Sequence, residues 1–586
     1  MIERNLAQHV IRRLMGGLSL GSALMSGGMT AAALLAPAAV YAQAGGSLTV
    51  SGAKVIGRTT SLSSLHIAEG AALSAPKGKM LTLTVDGVER NIEPGRYAGA
   101  VVLTVTDDIP VKYLDLDPHH FRAALYIDNG RIVPSKSVRS AISGGTVGDT
   151  SADNIVIRST GENFNGIVVD GTSRYTLNAP RIELEGNGGN DFAGFGAGIV
   201  AKGKAEVTLN NAKLTSHGAI RPALFVGGDA TLHVNDSDIE VRNGVLPSDY
   251  VFDFALGKMK RVPWQLGMSG NVRALVLVDS GTVHYKRSRI RSEGWGALSI
   301  DAARRVRMYV EDSSIENGDS GYGAFSIGDS IAWFSNTKFD VADIGLVMAA
   351  NGSGTFTNGT VVNSRRFGVM MFTYPRAGTL RIEGKSVFNT ASTGIQVKGC
   401  GATILIDDAQ INTGNGILLQ AMIDDNDHQP GRPKPGQPYT KAPADPTVHA
   451  QFRNASLKGD VVNSRTAQGD LDLRLENATL VGRVSSAVQS PAQGRLPSEA
   501  EFRLIGDVKN SFEATDGAFG TFVSLDPRSS WTVTGTSYLT RLNIAPDAKL
   551  RAPEGHRLDV TVNGQKVDVS QAGSYQGAIV ISVTKG

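Results

Sequence analysis

Apolar and polar residues alternate in short runs along most of this chain, and the runs return at a regular interval. Between about residue 160 and residue 420, a Gly or Ala repeatedly precedes an apolar-x-apolar triplet, as in "GIVVDG" from Gly166 and "GIVAKG" from Gly198. Two further alternating runs, divided by an Asn, Asp or Ser turn, fill each interval. Short runs with a period of two predict β-strands and not helices.

Three short strands in every repeat predict a parallel β-helix. The repeat of roughly 22 to 27 residues is too short for a propeller blade and contains no helix-length segment. In a solenoid, each coil stacks its apolar positions on the next and buries a column that no single coil could bury alone. A Gly or Ala at the start of each phrase suits a tight corner. The predicted fold class is therefore all-β, a parallel β-helix with three strands per coil.

This repeat resembles the right-handed parallel β-helix family, which includes pectate-lyase-like enzymes and the passenger domains of bacterial autotransporters. The frame N-A-[ST]-L-x-G-x-V returns at Asn454 and Asn477, and the stretch from Ser529 is similar to the Trp-containing coil near the end of autotransporter passengers. The resemblance implies the fold but leaves the chemistry open, because enzymes and adhesins share this scaffold. The chain ends at "GAIVISVTKG" without an autotransporter's membrane barrel, so we expect another export route.

The two ends of the chain carry the same passage. "LHIAEGAALSAPKGKMLTLTVDG" from Leu65 aligns without a gap to "LNIAPDAKLRAPEGHRLDVTVNG" from Leu542, and "GRYAGAVVLTVT" from Gly95 pairs with "GSYQGAIVISVT" from Gly573. The two passages share no metal-binding or acid–base residue, which indicates a structural role. We expect caps that cover the open ends of the solenoid. The alternative is self-association of the two modules, within one chain or head to tail between chains.

These patterns divide the chain into four parts. They are a signal peptide (1–44), a strand-rich capping module (45–110), the β-helix (111–540) and a C-terminal module that duplicates the first (541–586). Two insertions, at 245–270 and 424–448, interrupt the repeat. Such loops protrude on one face of a solenoid and often carry binding or catalysis.

The first residues have the features of an export signal. Arg4, Arg12 and Arg13 precede a run of apolar and small residues, and Ala42 to Ala44 offer an A-x-A cleavage site. A transmembrane anchor is the alternative. No later segment has about 18 consecutive apolar residues, so we expect no integral membrane segment in the mature chain. The predicted location is the periplasm, cell surface or exterior of a Gram-negative bacterium.

Composition adds little to this prediction. The 69 glycines indicate many tight turns, and 41% hydrophobic residues argue against disorder. The net charge of +3 gives no overall polyanion signal, so any basic surface is local and nucleic acid is not an expected partner. Cys400, the single cysteine, lies between strand-like runs and is expected to be a buried structural thiol.

Catalytic candidates are sparse. The residue patterns of pectate lyases and polygalacturonases cannot be placed on this sequence. One fragment, "LDLDPHHF", is similar at Asp117 and His119 to the D-P-H motif of mannuronan C5-epimerases, although the surrounding Tyr-Gly pattern is missing. The alternative is a turn with surface histidines.

An acidic loop is the candidate metal site. Asp424, Asp425 and Asp427 could offer oxygen ligands to Ca²⁺, and His428 beside them could act as acid or base. Asp425 and His428 are thus a second pair of catalytic candidates. The loop lacks the glycine of an EF-hand, and a solvated loop is the alternative. No other cofactor is expected.

Basic residues cluster in two neighbouring repeats and form the candidate ligand-binding site. In register they would form a ladder with about 4.8 Å between neighbours, suited to a polyanionic chain. Tyr250 and Trp264 in the first insertion could contact a sugar. The alternative is a set of solvated strand positions. The cations are Lys286, Arg287, Arg289, Arg291, Arg304, Arg305 and Arg307.

Two functions follow from these observations. The first is an exported, adhesin-like β-helix protein that binds a polysaccharide or another surface polyanion without catalysis. The alternative is a carbohydrate-active enzyme, a lyase, hydrolase or C5-epimerase of an acidic polysaccharide. An enzyme requires acid–base groups that converge beside a groove.

Overall fold

The computed structural model describes residues 45–372, 376–425, 445–515 and 519–586. The predicted signal peptide and two candidates of the acidic loop, Asp427 and His428, lie outside these residues. Within the described part of the chain, no helix is long and apolar enough to cross a membrane. The helical segments described are short 3₁₀ turns: Pro134–Lys136, Arg139–Ala141, Asp191–Ala193, Trp264–Leu266 and Glu499–Leu504.

The chain divides into two compact units. The N-terminal unit comprises the residues up to Arg261 together with Asn271–Ser292, and the C-terminal unit comprises Val262–Gly270 and Glu293–Gly586. The strands of the N-terminal unit are β1 Ser47–Val50, β2 Ala53–Val55, β3 Thr60–Ile67, β4 Ala72–Ser74, β5 Lys79–Val85, β6 Val88–Arg90, β7 Gly95–Asp107, β8 Ile109–Val111, β9 His119–Asp128, β10 Arg131–Ile132, β11 Ile142–Ser143, β12 Thr146–Val147, β13 Ser151–Asp153, β14 Val156–Ser159, β15 Phe164–Asp170, β16 Arg174–Asn178, β17 Arg181–Glu185, β18 Ile199–Ala201, β19 Glu206–Asn210, β20 Lys213–His217, β21 Leu224–Val226, β22 Thr231–Asn235, β23 Asp238–Arg242, β24 Arg273–Asp279, β25 Thr282–Lys286 and β26 Arg289–Ser292.

The strands of the C-terminal unit are β27 Gly296–Glu311, β28 Ser314–Asn317, β29 Tyr322–Ile327, β30 Asp329–Ser335, β31 Lys338–Val341, β32 Ile344–Ala349, β33 Gly352–Thr357, β34 Val361–Ser364, β35 Phe367–Phe372, β36 Arg376–Glu383, β37 Val387–Thr390, β38 Ile395–Lys398, β39 Gly401–Asp407, β40 Gln410–Thr413, β41 Ile417–Met422, β42 Val448–Arg453, β43 Ser456–Lys458, β44 Asp460–Asn463, β45 Leu471–Glu476, β46 Thr479–Gly482, β47 Val484–Pro491, β48 Val508–Phe512, β49 Thr521–Leu525, β50 Ser530–Val533, β51 Ser537–Ile544, β52 Lys549–Arg551, β53 His556–Val562, β54 Gln565–Val567 and β55 Gly573–Lys585.

Three parallel ladders build the coils of the N-terminal unit, as the repeat predicts. One coil is β18, β19 and β20, and the next is β21, β22 and β23. Each strand pairs with its counterpart one coil later, so that Val207 lies opposite Leu232 and Leu214 opposite Ile239. These four side chains are buried, which makes the stacked column the core of the unit. The predicted all-β parallel β-helix with three strands per coil is confirmed.

The C-terminal unit repeats this plan. Its three ladders run through β28–β31–β34–β37–β40, β30–β33–β36–β39–β42–β45–β49 and β29–β32–β35–β38–β41–β44–β47. Part of its core is aromatic: Phe334 stacks on Phe356 at 5.0 Å, and Phe356 meets Phe388 edge to face at 4.9 Å. Cys400 is also buried, as predicted.

Turns between the second and third strand of a coil place a residue in the left-handed region. Asn211, at φ 51°, and Asp236, at φ 52°, occupy this position in consecutive coils. Asn and Asp tolerate the conformation because their side chains bond to nearby backbone. The preceding asparagines form a ladder, in which the Asn210 amide donates to Asn178 at 2.9 Å and the Asn235 amide donates to Asn210 at 3.0 Å. The recurring Asn and Asp of the sequence therefore hold successive coils in register.

Candidate functional site

The basic residues of the N-terminal unit lie on β25, β26 and the turn between them. Arg287 has a left-handed backbone at φ 48°, and its guanidinium donates to both carboxylate oxygens of Asp236 at 2.7 Å. Arg289 lies opposite Asp238 in the ladder. Arg291 lies 3.2 Å from Glu240. Each arginine of this strand pair therefore faces a carboxylate one coil earlier.

Register explains why this surface is not the predicted ladder of like charge. The third strand of the preceding coil carries its own acids, so cations and anions alternate along the solenoid axis. Lys286 remains exposed beside them, opposite Asn235. Bidentate pairing of Arg287 holds the pKa of Asp236 below its usual value. The positive charges of this strand pair are therefore largely compensated by the carboxylates of the preceding coil.

The basic residues of the C-terminal unit lie in the second half of β27, where this strand pairs with β30. Arg304 is exposed and lies opposite Asp329, and Arg305 is exposed with a left-handed backbone at φ 55°. Arg307 is half-buried, and its Nη1 lies 3.7 Å from Asp329. Asp329 therefore lies beside two of these three arginines, Arg304 and Arg307.

Two aromatic rings lie beside these arginines. Tyr309 is opposite Trp333 on the neighbouring strand, with ring centroids 6.2 Å apart and planes at 63°. Both rings point outward, because their neighbours Val310 and Phe334 point into the core with no exposure. Both are half-buried, so part of each ring is accessible.

The outward row continues along the solenoid axis. Trp333 lies opposite Thr355, and Thr355 lies opposite the exposed Arg381 on the next coil. Arg381 is 3.7 Å from Glu383. We call Arg304, Arg305, Arg307, Tyr309, Trp333, Thr355 and Arg381 the aromatic–arginine row.

The residue types in this row are ones that can contact a saccharide. A sugar presents an apolar ring face that packs on an aromatic ring, while arginine binds a carboxylate or sulfate through paired N–H groups. The aromatic half of the row was missed at the sequence level, since Tyr309 and Trp333 are 24 positions apart. A search for aromatics one repeat apart at outward positions would have found them.

The two aromatic candidates of the first insertion are differently placed. Tyr250 is half-buried, and its hydroxyl accepts the backbone N–H of Lys260 at 3.0 Å, which fixes this loop. Trp264 is buried, so its ring does not present a face to a ligand. Tyr250 belongs to the N-terminal unit and Trp264 to the C-terminal unit.

His119 lies in a polar cluster of the N-terminal unit. Its Nε2 is 2.9 Å from the amide nitrogen of Asn190, and its ring stacks on Phe195 at 5.0 Å. Burial, with a smaller contribution from His120, lowers the pKa of His119 below its usual value. The imidazole is therefore neutral at neutral pH and accepts the proton of the Asn190 amide.

A buried ion pair adjoins this histidine. Asp191 follows Asn190, and its Oδ2 accepts from Arg273 at 2.8 and 3.1 Å. Each side chain is only 1% exposed, and the Arg273 guanidinium lies 4.6 Å from the ring centre of Phe192. Asp117 is exposed on the segment before β9 and takes no part in the contacts described for His119.

The first insertion closes over this cluster. A Cβ at Gly257 would lie 2.7 Å from the Asn190 amide and 2.9 Å from both Tyr113 and Leu116, so only glycine fits there. His119, which bonds to Asn190, is half-buried. The D-P-H fragment contributes one half-buried histidine, His119, and one exposed carboxylate, Asp117.

The described part of the acidic loop is structural. Asp425 is buried, bonded to the ammonium of Lys398 at 2.8 Å and to the N–H of Gly506 at 2.5 Å. Asp424 is also buried. Over the described ranges, no group of three or more His, Cys, Asp or Glu side chains could hold a metal ion.

Gly506 belongs to a third insertion that the sequence did not reveal. Residues 492–507, which we call the strap, leave the coil after β47 and return through β48. The strap packs on β35 and β38: Arg366 donates to the carbonyl of Ile505 at 2.5 Å, and Gln396 donates to that of Gly506 at 2.7 Å. It covers polar side chains that this sheet would otherwise present to solvent.

Comparison with known proteins agrees with this architecture. Residues 273–422 match the family model described as a right handed beta helix region. This segment is similar to that family, and the parallel ladders on either side of it are consistent with the resemblance that the repeat indicated. A search of curated proteins found no match.

Proposed function

We propose that this β-helix protein is an exported, non-catalytic binder of an acidic glycan, which lies along the aromatic–arginine row of the C-terminal unit. The observation that carries the proposal is the placement of Tyr309 and Trp333 opposite each other on adjacent strands, with arginines on the same outward face. Sugar-binding surfaces need both an apolar platform and fixed polar donors.

Spacing along the row favours an extended ligand. Adjacent strands are about 4.8 Å apart, so outward side chains on four successive coils offer contacts over about 15 Å. Tyr309 and Trp333 lie on the first two coils, Thr355 on the third and Arg381 on the fourth. An extended chain parallel to the solenoid axis meets all four coils.

Charge favours an acidic ligand at this row. Arg304 lies opposite Asp329 and Arg307 lies 3.7 Å from it, while Arg305 is exposed and in no ion pair described for this part of the chain. In the basic strand pair of the N-terminal unit, by contrast, Arg287, Arg289 and Arg291 each face an acid. An anionic sugar therefore gains more electrostatic attraction at the C-terminal unit, because fewer of its arginines are already neutralised by a neighbouring carboxylate.

The test compares two matched sets of variants. Trp333→Ala and the triple variant Arg304→Ala, Arg305→Ala, Arg307→Ala are titrated with alginate, pectate and a neutral glucan. We expect each to weaken acidic-glycan binding about tenfold or more, with the triple variant also flattening the salt dependence. Tyr250→Ala and Arg287→Ala, Arg289→Ala are the controls and should bind normally. Equal losses in both sets would contradict the proposal.

Export is part of the same proposal and has a separate test. Arg4, Arg12 and Arg13 ahead of an apolar run, with an A-x-A site at Ala42 to Ala44, support a cleaved signal. N-terminal sequencing of protein from a fractionated Gram-negative host should give a chain that starts at Gly45 in the periplasmic or surface fraction. A cytoplasmic chain that begins at Met1 would contradict it.

The His119 cluster favours one second candidate, an enzyme of acidic polysaccharide. A neutral, half-buried imidazole bonded to Asn190 is a competent proton acceptor. The same alginate and pectate samples are assayed for unsaturated ends, shortened chains and C5 inversion. Turnover that His119→Gln abolishes would replace the binding proposal with this one.

A further inference from the structure

Each end of the chain carries one copy of a seven-strand module. The N-terminal module is β1–β7, with hydrogen-bonded order β1–β3–β7–β5–β6 and β2 beside β4. The C-terminal module is β49–β55, with the order β49–β51–β55–β53–β54 and β50 beside β52. The duplication visible in the sequence therefore extends to two further strands at the start of each module.

The two modules agree residue by residue. Leu65 lies opposite Tyr97, and their counterparts Leu542 and Tyr575 also lie opposite each other. Both long ladders contain an irregularity at the same place, between Leu62 and Ser64 and between Leu539 and Arg541. The two modules also share a turn. Asp86 and Asn563 each have φ 50°, and the Asp86 side chain accepts the N–H of Ala100 as the Asn563 side chain accepts the N–H of Ala578.

Each module has two edges that a further strand can join. We call the first two strands (β1 and β2, or β49 and β50) the leading edge, and the sixth strand (β6 or β54) the trailing edge. In the C-terminal module the leading edge is filled, since β45 and β46 pair with it in parallel. In the N-terminal module the trailing edge is filled, since β14 pairs with β6 in parallel.

The other two edges are open: no ladder among the described residues joins the outer side of β1, β2 or β54. Burial reflects this difference. Val523 and Trp531 on the filled leading edge have no exposure, whereas the equivalent Leu48 is half-buried and Lys54 is exposed. Val55 is 62% exposed. A groove lined by Leu48, Lys54, Val55 and Leu62 opens along this edge.

The open trailing edge shows the same contrast. Glu89 on β6 is fully buried by its junction with β14 and is satisfied by Arg122 at 2.9 Å and Ser159 at 2.5 Å. Its equivalent on β54 is Lys566, which is exposed and paired with Asp559 at 3.1 Å. A junction at this position thus accommodates a charged side chain, provided that the charge has a partner.

We propose that the chain assembles head to tail, the trailing edge of one copy joining the leading edge of the next. Open edge strands present unpaired N–H and C=O groups and favour addition of another strand. Both filled edges accept a parallel strand, so β54 and β1 are competent for parallel pairing with each other. The contact uses different surfaces of the two copies, which produces an open chain of molecules or a ring.

Cross-linking tests this contact directly, and does not depend on the glycan proposal. The outward positions are Thr49, equivalent to Ser524, and Gln565, equivalent to Val88. Thr49→Cys and Gln565→Cys are made as separate full-length variants, mixed and oxidised. Paired positions on neighbouring strands have Cα atoms close enough for a disulfide. We expect a cross-linked dimer in the mixture only, because Cys400 is buried and each variant alone lacks the second thiol.

Other results of the cross-linking experiment would indicate a different arrangement of the modules. A dimer from Thr49→Cys alone indicates a symmetric contact and overturns the proposal. A full-length variant that carries both Thr49→Cys and Gln565→Cys is oxidised in the same way. A disulfide within one molecule of this double variant, with no intermolecular product, indicates pairing inside one chain and also overturns the proposal. If no sample forms a cross-link and the mass is monomeric at every concentration, the modules act only as caps of the solenoid. This result also overturns the proposal.

A surface variant gives an independent measurement. Val55→Asp changes an exposed side chain on the leading edge, and Val245→Asp is the matched control, 87% exposed in the first insertion. Light scattering should show a mass that increases with concentration for the unaltered chain and the control. We expect about tenfold weaker association for Val55→Asp, because burial of a carboxylate without a partner is costly. Equal association of all three proteins contradicts the proposal.

Discussion

Arg273 and Asp191 illustrate how single residues hold charge in the interior of this β-helix. Neither side chain has more than about 1% exposure, and two hydrogen bonds join them. Lys398 and Asp425 form a similar pair in the C-terminal unit. In both cases the partner comes from a different coil, so the sequence alone does not indicate which charges are matched.

Removal of one partner of such a pair should be costly. We expect Asp191→Asn and Arg273→Met each to lower the free energy of unfolding by about 3–5 kcal/mol, because each leaves a buried charged or polar group without its partner. The double variant should lose less than the sum of the two. Urea unfolding of the four proteins measures the coupling. Strict additivity would show that the two side chains do not interact.

His119 predicts a pH dependence of stability. Its folded-state pKa lies below the value of 6.5 for an exposed histidine, so the unfolded chain binds the proton more tightly. Stability should therefore fall as pH decreases from about 6.5 towards the folded-state pKa. His119→Gln, which retains an acceptor for Asn190, should remove this part of the pH dependence. Thermal unfolding between pH 5 and pH 8 tests it, and an unchanged slope would contradict it.

At the scale of elements, the strap shows how an irregular segment is fixed without a hydrophobic repeat. Its backbone carbonyls accept hydrogen bonds from Arg366 and Gln396, and its N–H at Gly506 donates to Asp425. Buried backbone groups need such partners, and here the outward side chains of the sheet supply them. The strap and the sheet are consequently one polar interface.

Asp507, at the end of the strap, should make this interface sensitive to pH. Burial raises the pKa of Asp507 above its usual value, although Arg366 and Lys398 oppose the shift; Asp425 adds to it. The folded state therefore binds the proton more tightly, and stability should decrease as pH increases from the unfolded to the folded pKa. Asp507→Asn should stabilise the protein at pH 7 and change little at pH 3. A loss of stability at pH 7 would contradict this assignment.

At the scale of the whole molecule, each coil depends on its immediate neighbours. The ladders join counterpart strands one coil apart, and the buried Phe334, Phe356 and Phe388 come from neighbouring coils of the C-terminal unit. Stability in such a solenoid is a sum of coil terms and contacts between adjacent coils. A local defect should therefore open coils near it before distant ones.

Phe356→Ala tests this nearest-neighbour behaviour. We expect it to lower the free energy of unfolding by about 3–5 kcal/mol and to speed amide exchange most in β30, β33 and β36. Thr355→Ala, at an outward position of the same strand, is the control. It should change the free energy of unfolding and the amide exchange rates only slightly. Uniformly faster exchange throughout the C-terminal unit would instead show that the unit opens as one cooperative block.

The sequence by itself determined the coil. A period-two pattern of apolar residues, repeated with a Gly or Ala corner and an Asn or Asp turn, specifies three strands and their inward faces, because burial and turn conformation are local properties. Asn211 and Asp236 could be assigned to turns for this reason. The duplicated ends were visible too, though the first two strands of each module, at β1–β2 and β49–β50, were not.

Tertiary structure alone decided which outward residues meet. Arg287 was predicted to belong to a ladder of cations, and register placed Asp236 against it. Tyr309 and Trp333 share one face for the same reason, and the strap reaches its sheet from more than 100 positions away, as the bond between Gln396 and Gly506 shows. Outward positions carry no burial signal, so their partners depend on stacking between coils and not on the local pattern.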